Sequence, residues 1–162
     1  MFAFFLMASS SYAQNGSVQL GVAVESNLLL GSYSSAYNAG FGGGIKGLYG
    51  VGASGQLTLS VDYSSYSSKS GTIFAGQTLS LLPILAGYRY NLSSGFYAEP
   101  QAGLATLSTK ASGFSFSQTN FAGAINVGYA KNGFDISVHY YTEGDVISMF
   151  GVRLGYNFSL KK

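Results

Sequence analysis

The feature that most constrains this chain is a two-residue alternation of apolar with small or polar residues, which recurs in eight segments. Successive side chains of a β-strand point to opposite faces, so this period predicts eight strands that each have one apolar face. In the first segment the apolar face consists of Val18, Leu20, Val22 and Val24. The eight segments lie near 18–25, 41–51, 56–66, 78–92, 96–107, 120–130, 134–142 and 147–160.

Composition indicates a membrane protein that does not cross the membrane with helices. Hydrophobic residues make up 47% of the 162 residues and charged residues only 9%. A membrane-spanning helix needs roughly 20 consecutive apolar residues, whereas the longest such run after the N-terminus, 81–86, is short and contains Pro83. Lipid offers no partners to unpaired backbone groups, so strands that span it must close into a barrel.

The distribution of charge favours lipid outside the barrel over the alternative, a secreted β-sandwich or lipocalin-like barrel. The 8 basic and 6 acidic residues avoid the apolar faces, where a charge at mid-depth would cost roughly 2–4 kcal/mol. The opposite faces carry mainly Gly, Ser, Ala and Asn, which suits a narrow interior filled by side chains. We therefore predict an all-β, eight-stranded, antiparallel, up-and-down transmembrane β-barrel.

Aromatic residues and connections give this barrel a direction. Short turns at 53–55, 93–95 and 132–133 alternate with longer loops at 26–40, 67–77 and 108–119 and a shorter one at 143–146, as periplasmic turns alternate with external loops. Aromatic side chains on the apolar faces collect near the strand ends and predict two interfacial girdles. The periplasmic girdle contains Tyr49, Tyr88, Tyr90, Phe96, Tyr129, Phe134, Tyr156 and Phe158, and the outer one Phe41, Tyr63, Phe121, Tyr140 and Phe150.

The N-terminus has features of an export signal. An apolar run over 1–7 precedes small residues at Ser11 and Ala13, which predicts a signal peptide over 1–13 with cleavage between Ala13 and Gln14. No basic residue precedes the run, so we expect the true start of the signal to lie upstream of Met1; the alternative is a buried N-terminal element. Residues 14–162 then form the barrel domain of a protein exported to the outer membrane of a Gram-negative-type bacterium.

The first short turn predicts one ion pair inside the barrel. If Val51 pairs with Leu57 across this turn, the same register places Lys46 opposite Asp62 on the inward face. Both side chains would then lie where water is scarce.

Two further pairs follow in the same way. A tight second turn places Arg89 opposite Glu99, and a last loop of three residues would place Asp135 opposite Arg153. Glu25 also points inward, but no turn assigns it a partner. Removing one member of a buried pair should cost about 3–5 kcal/mol. Such pairs favour a filled, non-conducting interior, since eight strands enclose little more than side chains; the alternative is a narrow aqueous pore.

Residues that could support catalysis or cofactor binding are few. His139 is the only histidine; it points inward, roughly across from Asn126, near Thr142 and Glu143. A catalytic role would need a nucleophile or an orienting carboxylate within reach, so we interpret His139 as a hydrogen-bonded interior residue. With one histidine and no cysteine, we expect no metal, no cofactor and no enzymatic activity. Without a Lys/Arg cluster apart from the terminal pair, we expect no nucleic-acid binding.

Three segments resemble the small outer-membrane β-barrel family that includes the OmpX-like and OmpA-barrel proteins. They are Leu-Ala-Gly-Tyr-Arg-Tyr at 85–90, Phe-Tyr-Ala-Glu-Pro-Gln-Ala-Gly at 96–103 and Gly-Val-Arg-Leu-Gly-Tyr-Asn-Phe at 151–158. The resemblance implies insertion by the outer-membrane assembly machinery, contact with outer-membrane lipid and lipopolysaccharide, and a role in envelope integrity, adhesion or defence.

Three functions remain open from the sequence. The first is a non-enzymatic barrel that serves envelope structure, or surface interaction with an extracellular ligand through its loops. The second is a narrow porin or channel. The third is an enzyme that modifies lipid A; the deacylase type carries a His-x-Ser pair followed by Asn, where this chain has His139, Tyr141 and Thr142.

Overall fold

The computed structural model describes residues 16–111 and 113–161, and these form one closed antiparallel barrel in which each strand pairs with its neighbours in sequence and the last pairs with the first. The predicted fold class is confirmed. The strands are β1 (Val18–Leu29), β2 (Gly40–Val51), β3 (Gly55–Ser67), β4 (Thr78–Asn91), β5 (Phe96–Ala111), β6 (Phe114–Lys131), β7 (Phe134–Glu143) and β8 (Ile147–Lys161). The predicted signal peptide and the cleavage site between Ala13 and Gln14 lie outside the described residues.

Two short helical segments interrupt the strands. The helix α1 (Ser32–Ala36) lies between β1 and β2, and a single 3-10 turn (Ser93–Gly95) joins β4 to β5. No helix in the described part of the chain is long and apolar enough to cross a lipid bilayer.

The two ends of the barrel differ in their connections. At the turn end, short connections over 52–54, 92–95 and 132–133 lie on the same side as the start of β1 and the end of β8. At the loop end, the connections cover 30–39, 68–77 and 144–146, and β5 ends at Ala111 where β6 begins at Phe114. Asn132 and Gly133 both have positive φ, 53° and 87°, as a type I′ turn requires. The short turn predicted at 132–133 is therefore present, with the geometry that an Asn-Gly sequence favours.

The third connection at the loop end is shorter than predicted. We expected a loop over 108–119, but β5 and β6 continue as a hairpin until Ala111 pairs with Phe114. The expectation failed because the outward face changes from apolar to polar there, so the hydrophobic signal of a strand disappears. Hydroxyl pairs Thr106–Thr119 and Ser108–Ser117, each 2.8 Å apart between Oγ atoms, hold the two strands together instead.

Side-chain exposure reproduces the predicted facing of the strands. Apolar side chains on the outward faces are exposed, with Val24 64% and Phe121 68% accessible, while the charged residues between them point inward and are buried. Exposed apolar belts of this size are explained by contact with acyl chains. At the turn end, aromatic rings of the predicted periplasmic girdle touch edge to face, as in Phe96–Tyr129 with ring centroids 5.2 Å apart.

Candidate functional site: the barrel interior and its two mouths

The first feature of the interior is a chain of four charged side chains from four strands, the glutamate cluster. Glu99 is fully buried and accepts hydrogen bonds from Lys46 Nζ and Arg89 Nε, both at 2.8 Å. Arg89 Nη1 also donates to Asp135 Oδ2 at 2.8 Å. The cluster therefore contains two cations and two anions, and its charges balance. Hydrogen-bonded pairing of this kind offsets the cost of removing the charges from water.

Neutral side chains complete the coordination of the glutamate cluster. Tyr97 donates its hydroxyl to Asp135 Oδ1 at 2.5 Å, and its ring lies 3.7 Å from the guanidinium carbon of Arg89. Thr58 donates to Glu99 Oε1 at 3.0 Å. These contacts fix the positions of the charges and fill the space between them.

The second feature is an ionic group nearer the loop end, the arginine cluster. Arg153 Nη1 lies 2.7 Å from Asp62 Oδ1 and 3.8 Å from Glu25 Oε2. Asn27 donates to Glu25 Oε1 at 2.9 Å, and His139 Nε2 lies 2.9 Å from Asn27 Oδ1. The hydrogen bond from Asn27 Nδ2 to Glu25 fixes the orientation of the amide, so its oxygen faces His139. An amide oxygen can only accept, so His139 carries a proton on Nε2. Besides His139, this cluster has two carboxylates and one guanidinium.

The structure brings one of the predicted ion pairs together and contradicts another at the first turn. Arg89 contacts Glu99, as described above. The expected pairing of Lys46 with Asp62 is wrong: Val51 pairs with Gly55, so Lys46 lies opposite Ser60. The turn is tighter than assumed, because Gly55 already belongs to β3, and this shifts the register by two residues.

The expected pairing of Asp135 with Arg153 is also wrong. The last loop does span three residues, 144–146, but Glu143 pairs with Ile147, which places Asp135 opposite Gly155. Arg153 faces β1 instead, where it lies directly opposite Glu25. No turn joins β1 to β8, so local sequence gave no register for this contact.

The third feature is an apolar plug that fills the interior at the loop end, which sequence reasoning missed. We expected the inward faces to be small or polar, yet here they are apolar and buried. The signal was present in β4, whose upstream half is apolar on both faces because one side meets lipid and the other meets the plug. Members of the plug are Leu29, Ala36, Tyr37, Tyr66, Leu79, Leu81, Leu85, Ala105, Leu107, Ala122, Tyr141, Ile147 and Met149.

The first two loops close the mouth above the plug. The backbone N–H of Lys69 donates to Ala36 O at 2.8 Å, and its Nζ donates to Ser34 O at 2.7 Å. The rings of Tyr37 and Phe74 lie 6.1 Å apart between centroids. The Tyr- and Ser-rich stretch of the first loop thus forms a short helix tied to the second loop.

His139 lies in the interior and does not face lipid. Its side chain is buried, and Asn126 lies opposite it across β6 and β7, as expected. Glu143, four residues further along β7, accepts a hydrogen bond from Asn120 at 2.6 Å. The geometry matches a hydrogen-bonded interior histidine.

Together these features define a transmembrane β-barrel of the small outer-membrane type, with eight strands and a side-chain-filled interior. Solved structures share the fold. Ail, the attachment invasion locus protein of Yersinia pestis, in complex with the heparin analogue sucrose octasulfate, covers 90% of this chain and 100% of its own, with 13% identity and a TM-score of 0.67.

Two further structures show the same fold. Neisserial surface protein A covers 88% of this chain and 97% of its own, with 19% identity and a TM-score of 0.62. The outer membrane protein OprG from Pseudomonas aeruginosa covers 93% and 99%, with 12% identity and a TM-score of 0.53. No protein-family model and no curated protein sequence matches the chain. The OmpX- and OmpA-like resemblance is thus confirmed for the fold.

Proposed function

We propose that this protein is an exported, non-enzymatic outer-membrane barrel that is closed to solutes and contacts partners outside the cell through its loop end. The observation that supports the closed interior is its filling by two ionic clusters and an apolar plug. The cavity between the two clusters, beside Lys46 and Arg153, has a volume of about 10 Å³, which is enough for a single water molecule. The loop end is then external and the turn end periplasmic.

The β5–β6 hairpin supports the role in surface contact. β6 pairs with β5 from Phe114 to Tyr129, but its pairing with β7 begins only at Gly123 and Thr142. Residues 114–122 therefore present backbone N–H and C=O groups on a free edge, which another extended chain can pair with. Phe114 and Phe116 are exposed beside this edge. The Yersinia pestis protein that shares the fold is named for attachment and invasion, so adhesion is the first role to test.

Adhesion of bacteria that display the protein tests this role. Replacing 108–117 by a short turn should abolish adhesion to host cells while the barrel still folds, as judged by different gel mobilities of unboiled and boiled protein. The double change Phe114→Ser and Phe116→Ser should weaken adhesion, whereas Ser115→Ala with Ser117→Ala on the other face should not. Equal adhesion with and without the protein would reject surface contact, and envelope fragility on deletion would then support a structural role.

A narrow channel is the second candidate, because an open cavity of about 580 Å³ lies at the turn end. Reconstitution into planar bilayers distinguishes a narrow channel from a closed barrel. We expect no steady conductance, since the ionic clusters and the plug block the path above the cavity. Large, stable openings would overturn the closed interior.

The proposal also excludes an enzyme that modifies lipid A. The single histidine faces the interior and binds Asn27, whereas an acyl-chain substrate would lie against the outward face. Mass spectrometry of lipid A from cells with and without the protein should show no acyl-chain difference. A difference that depends on His139 would reverse this assignment.

Export and membrane contacts belong to the same proposal. The predicted signal peptide would deliver the chain to the periplasm, and the outer-membrane assembly machinery would insert it among lipid and lipopolysaccharide. Fractionation should place the protein in the outer membrane, and depletion of the assembly machinery should remove it from there. Recovery as a soluble monomer without detergent would contradict the proposal as a whole.

A further inference from the structure

We propose that the open cavity at the turn end, the amide cup, is a binding site for a carboxylate-bearing amino-sugar oligosaccharide. The inference rests on the proposed function, since that places the cup in the periplasm. The cup has a volume of about 580 Å³, within the range of small-ligand sites. Its polar lining includes Gln19, Gln56, Asn91, Asn132 and Asn157.

The cup is blind, because the glutamate cluster forms its floor. Arg89 lines the cup and is held by Glu99 and Asp135. Asn157 is fixed on the same floor by donating to Asp135 Oδ2 at 3.0 Å. A ligand can therefore enter from the turn end and dock against a rigid polar floor without passing into the barrel.

The amides at the wall have bonding capacity that the protein does not use. Gln56 Nε2 lies 3.5 Å from Gln19 Oε1, and Asn91 Nδ2 lies 3.4 Å from Gln56 Oε1. These distances are at the weak limit for hydrogen bonds. Gln19 and Gln56 are only 9% and 5% exposed, although each primary amide offers two donor hydrogens and an oxygen that accepts twice. Buried polar groups are costly when unpaired, so this wall favours a ligand that supplies both donors and acceptors.

Sugar hydroxyls and acetamido groups have this dual character, since each donates and accepts. Among the described residues that line the cup none is a carboxylate, and Lys131 adds an exposed cation at the rim, which favours a sugar that carries an acid group. An extended peptide would need apolar subsites for alternate side chains, and the lining offers few of them.

This site can be tested by calorimetry. The purified, folded barrel is titrated with the disaccharide of N-acetylglucosamine and N-acetylmuramic acid. We expect saturable binding that Gln56→Leu and Asn91→Leu each weaken by about tenfold or more, the effect of one or two lost hydrogen bonds. Gln118→Leu, the same change of an amide at the loop end, should leave the dissociation constant unchanged.

A rim variant separates recognition from folding. Lys131 is exposed, so Lys131→Ala should leave gel mobility intact yet weaken binding of the acid-bearing disaccharide more than that of neutral chitobiose. Absence of saturable binding by the unchanged protein, equal binding in all variants, or preference for a stem peptide over the disaccharide would each overturn the site. Fractionation is independent of these results: a barrel in the outer membrane that fails to bind sugar refutes the site alone.

Discussion

Glu99 has the densest set of interactions of any single side chain in the interior. It lies fully buried between two cations, and Thr58 and Gln101 each donate to Oε1 at 3.0 Å. Glu25 differs, because its nearest cation, Arg153, lies 3.8 Å away and is closer to Asp62. Two interior carboxylates thus have very different electrostatic surroundings.

This contrast gives a prediction with a built-in control. Glu99→Gln should lower the free energy of unfolding by about 3–5 kcal/mol, because it leaves Lys46 and Arg89 with uncompensated buried charge. Glu25→Gln should change it by less than about 1 kcal/mol, because Arg153 keeps Asp62 and the arginine cluster loses its surplus anion. Urea unfolding in lipid vesicles measures both. Equal losses would show that the interior is solvated enough to screen both sites.

Two adjacent leucines test the apolar plug at the same scale. Leu81 is 0% exposed and belongs to the plug, whereas Leu82 faces outward and is 39% exposed. Leu81→Ala should destabilise the barrel by about 2–5 kcal/mol by opening a cavity. Leu82→Ala loses only contact with fluid lipid and should cost less than about 1.5 kcal/mol, below full burial of a leucine. Similar losses in urea unfolding would mean that the plug is not packed.

At the scale of elements, the sequence predicted the strands well and their registers unevenly. Where the turn length was unambiguous, between β4 and β5, the predicted contact of Arg89 with Glu99 is present. The turn between β2 and β3 admitted two lengths, and there the predicted register was wrong by two residues, so that Lys46 lies opposite Ser60. Contacts across the lumen, such as Lys46 with Glu99, join strands that are not neighbours, so no local pairing rule reaches them.

The apolar plug was not predicted from the sequence for a different reason. Alternation predicts which side chains share a face of a strand. The inward face can be recognised only when it is more polar than the outward face. In the upstream half of β4 both faces are apolar, so this contrast vanishes, and the interior there could not be predicted. The hairpin over 107–118 was missed because its outward face, with Ser108, Ser115 and Ser117, carries no apolar residue that would mark a membrane strand.

Glycines in β2 give a test of how closely strands and side chains approach. A Cβ added at the inward-facing Gly44 would meet Asp62 Oδ1 and the carbonyl oxygen of Val61, whereas one at Gly47 would meet nothing nearer than Leu59 O at 4.0 Å. Gly44→Ala should therefore cost about 1–3 kcal/mol through overpacking and displacement of Asp62.

Gly47→Ala in the same strand is the control and should be neutral or slightly stabilising, because it restricts the unfolded chain without a clash. Thermal shifts of the folded band on gels report both changes. If Gly44→Ala were tolerated as well as Gly47→Ala, Asp62 would not occupy the position that places it beside Arg153.

At the scale of the whole molecule, the interior is graded along the barrel axis. The amide cup at the turn end is open to water, the ionic clusters lie in the middle, and the plug with its loop lid closes the far end. This gradient makes the two mouths unequal. From the turn end, the open part of the lumen ends at the floor that contains Arg89.

Cysteine labelling can map this gradient, because the chain contains no cysteine. Asn91→Cys in the amide cup should react rapidly with a water-soluble maleimide in detergent-solubilised, folded protein. Ser64→Cys, buried in the arginine cluster, should react only after unfolding. Fast labelling at residue 64 in the folded protein would indicate a hydrated passage through the middle of the barrel.

The position of Arg153 on the final strand has a consequence for how the barrel comes together. Its anionic neighbours Glu25 and Asp62 lie on the first and third strands, so they face no guanidinium until the sheet has curled round and the two ends of the chain meet. Before β1 and β8 pair, the carboxylates of Glu25 and Asp62 therefore lack their cation and stay hydrated. Pairing of β1 with β8 thus brings Arg153 to these carboxylates, and water leaves the arginine cluster only after the barrel has closed.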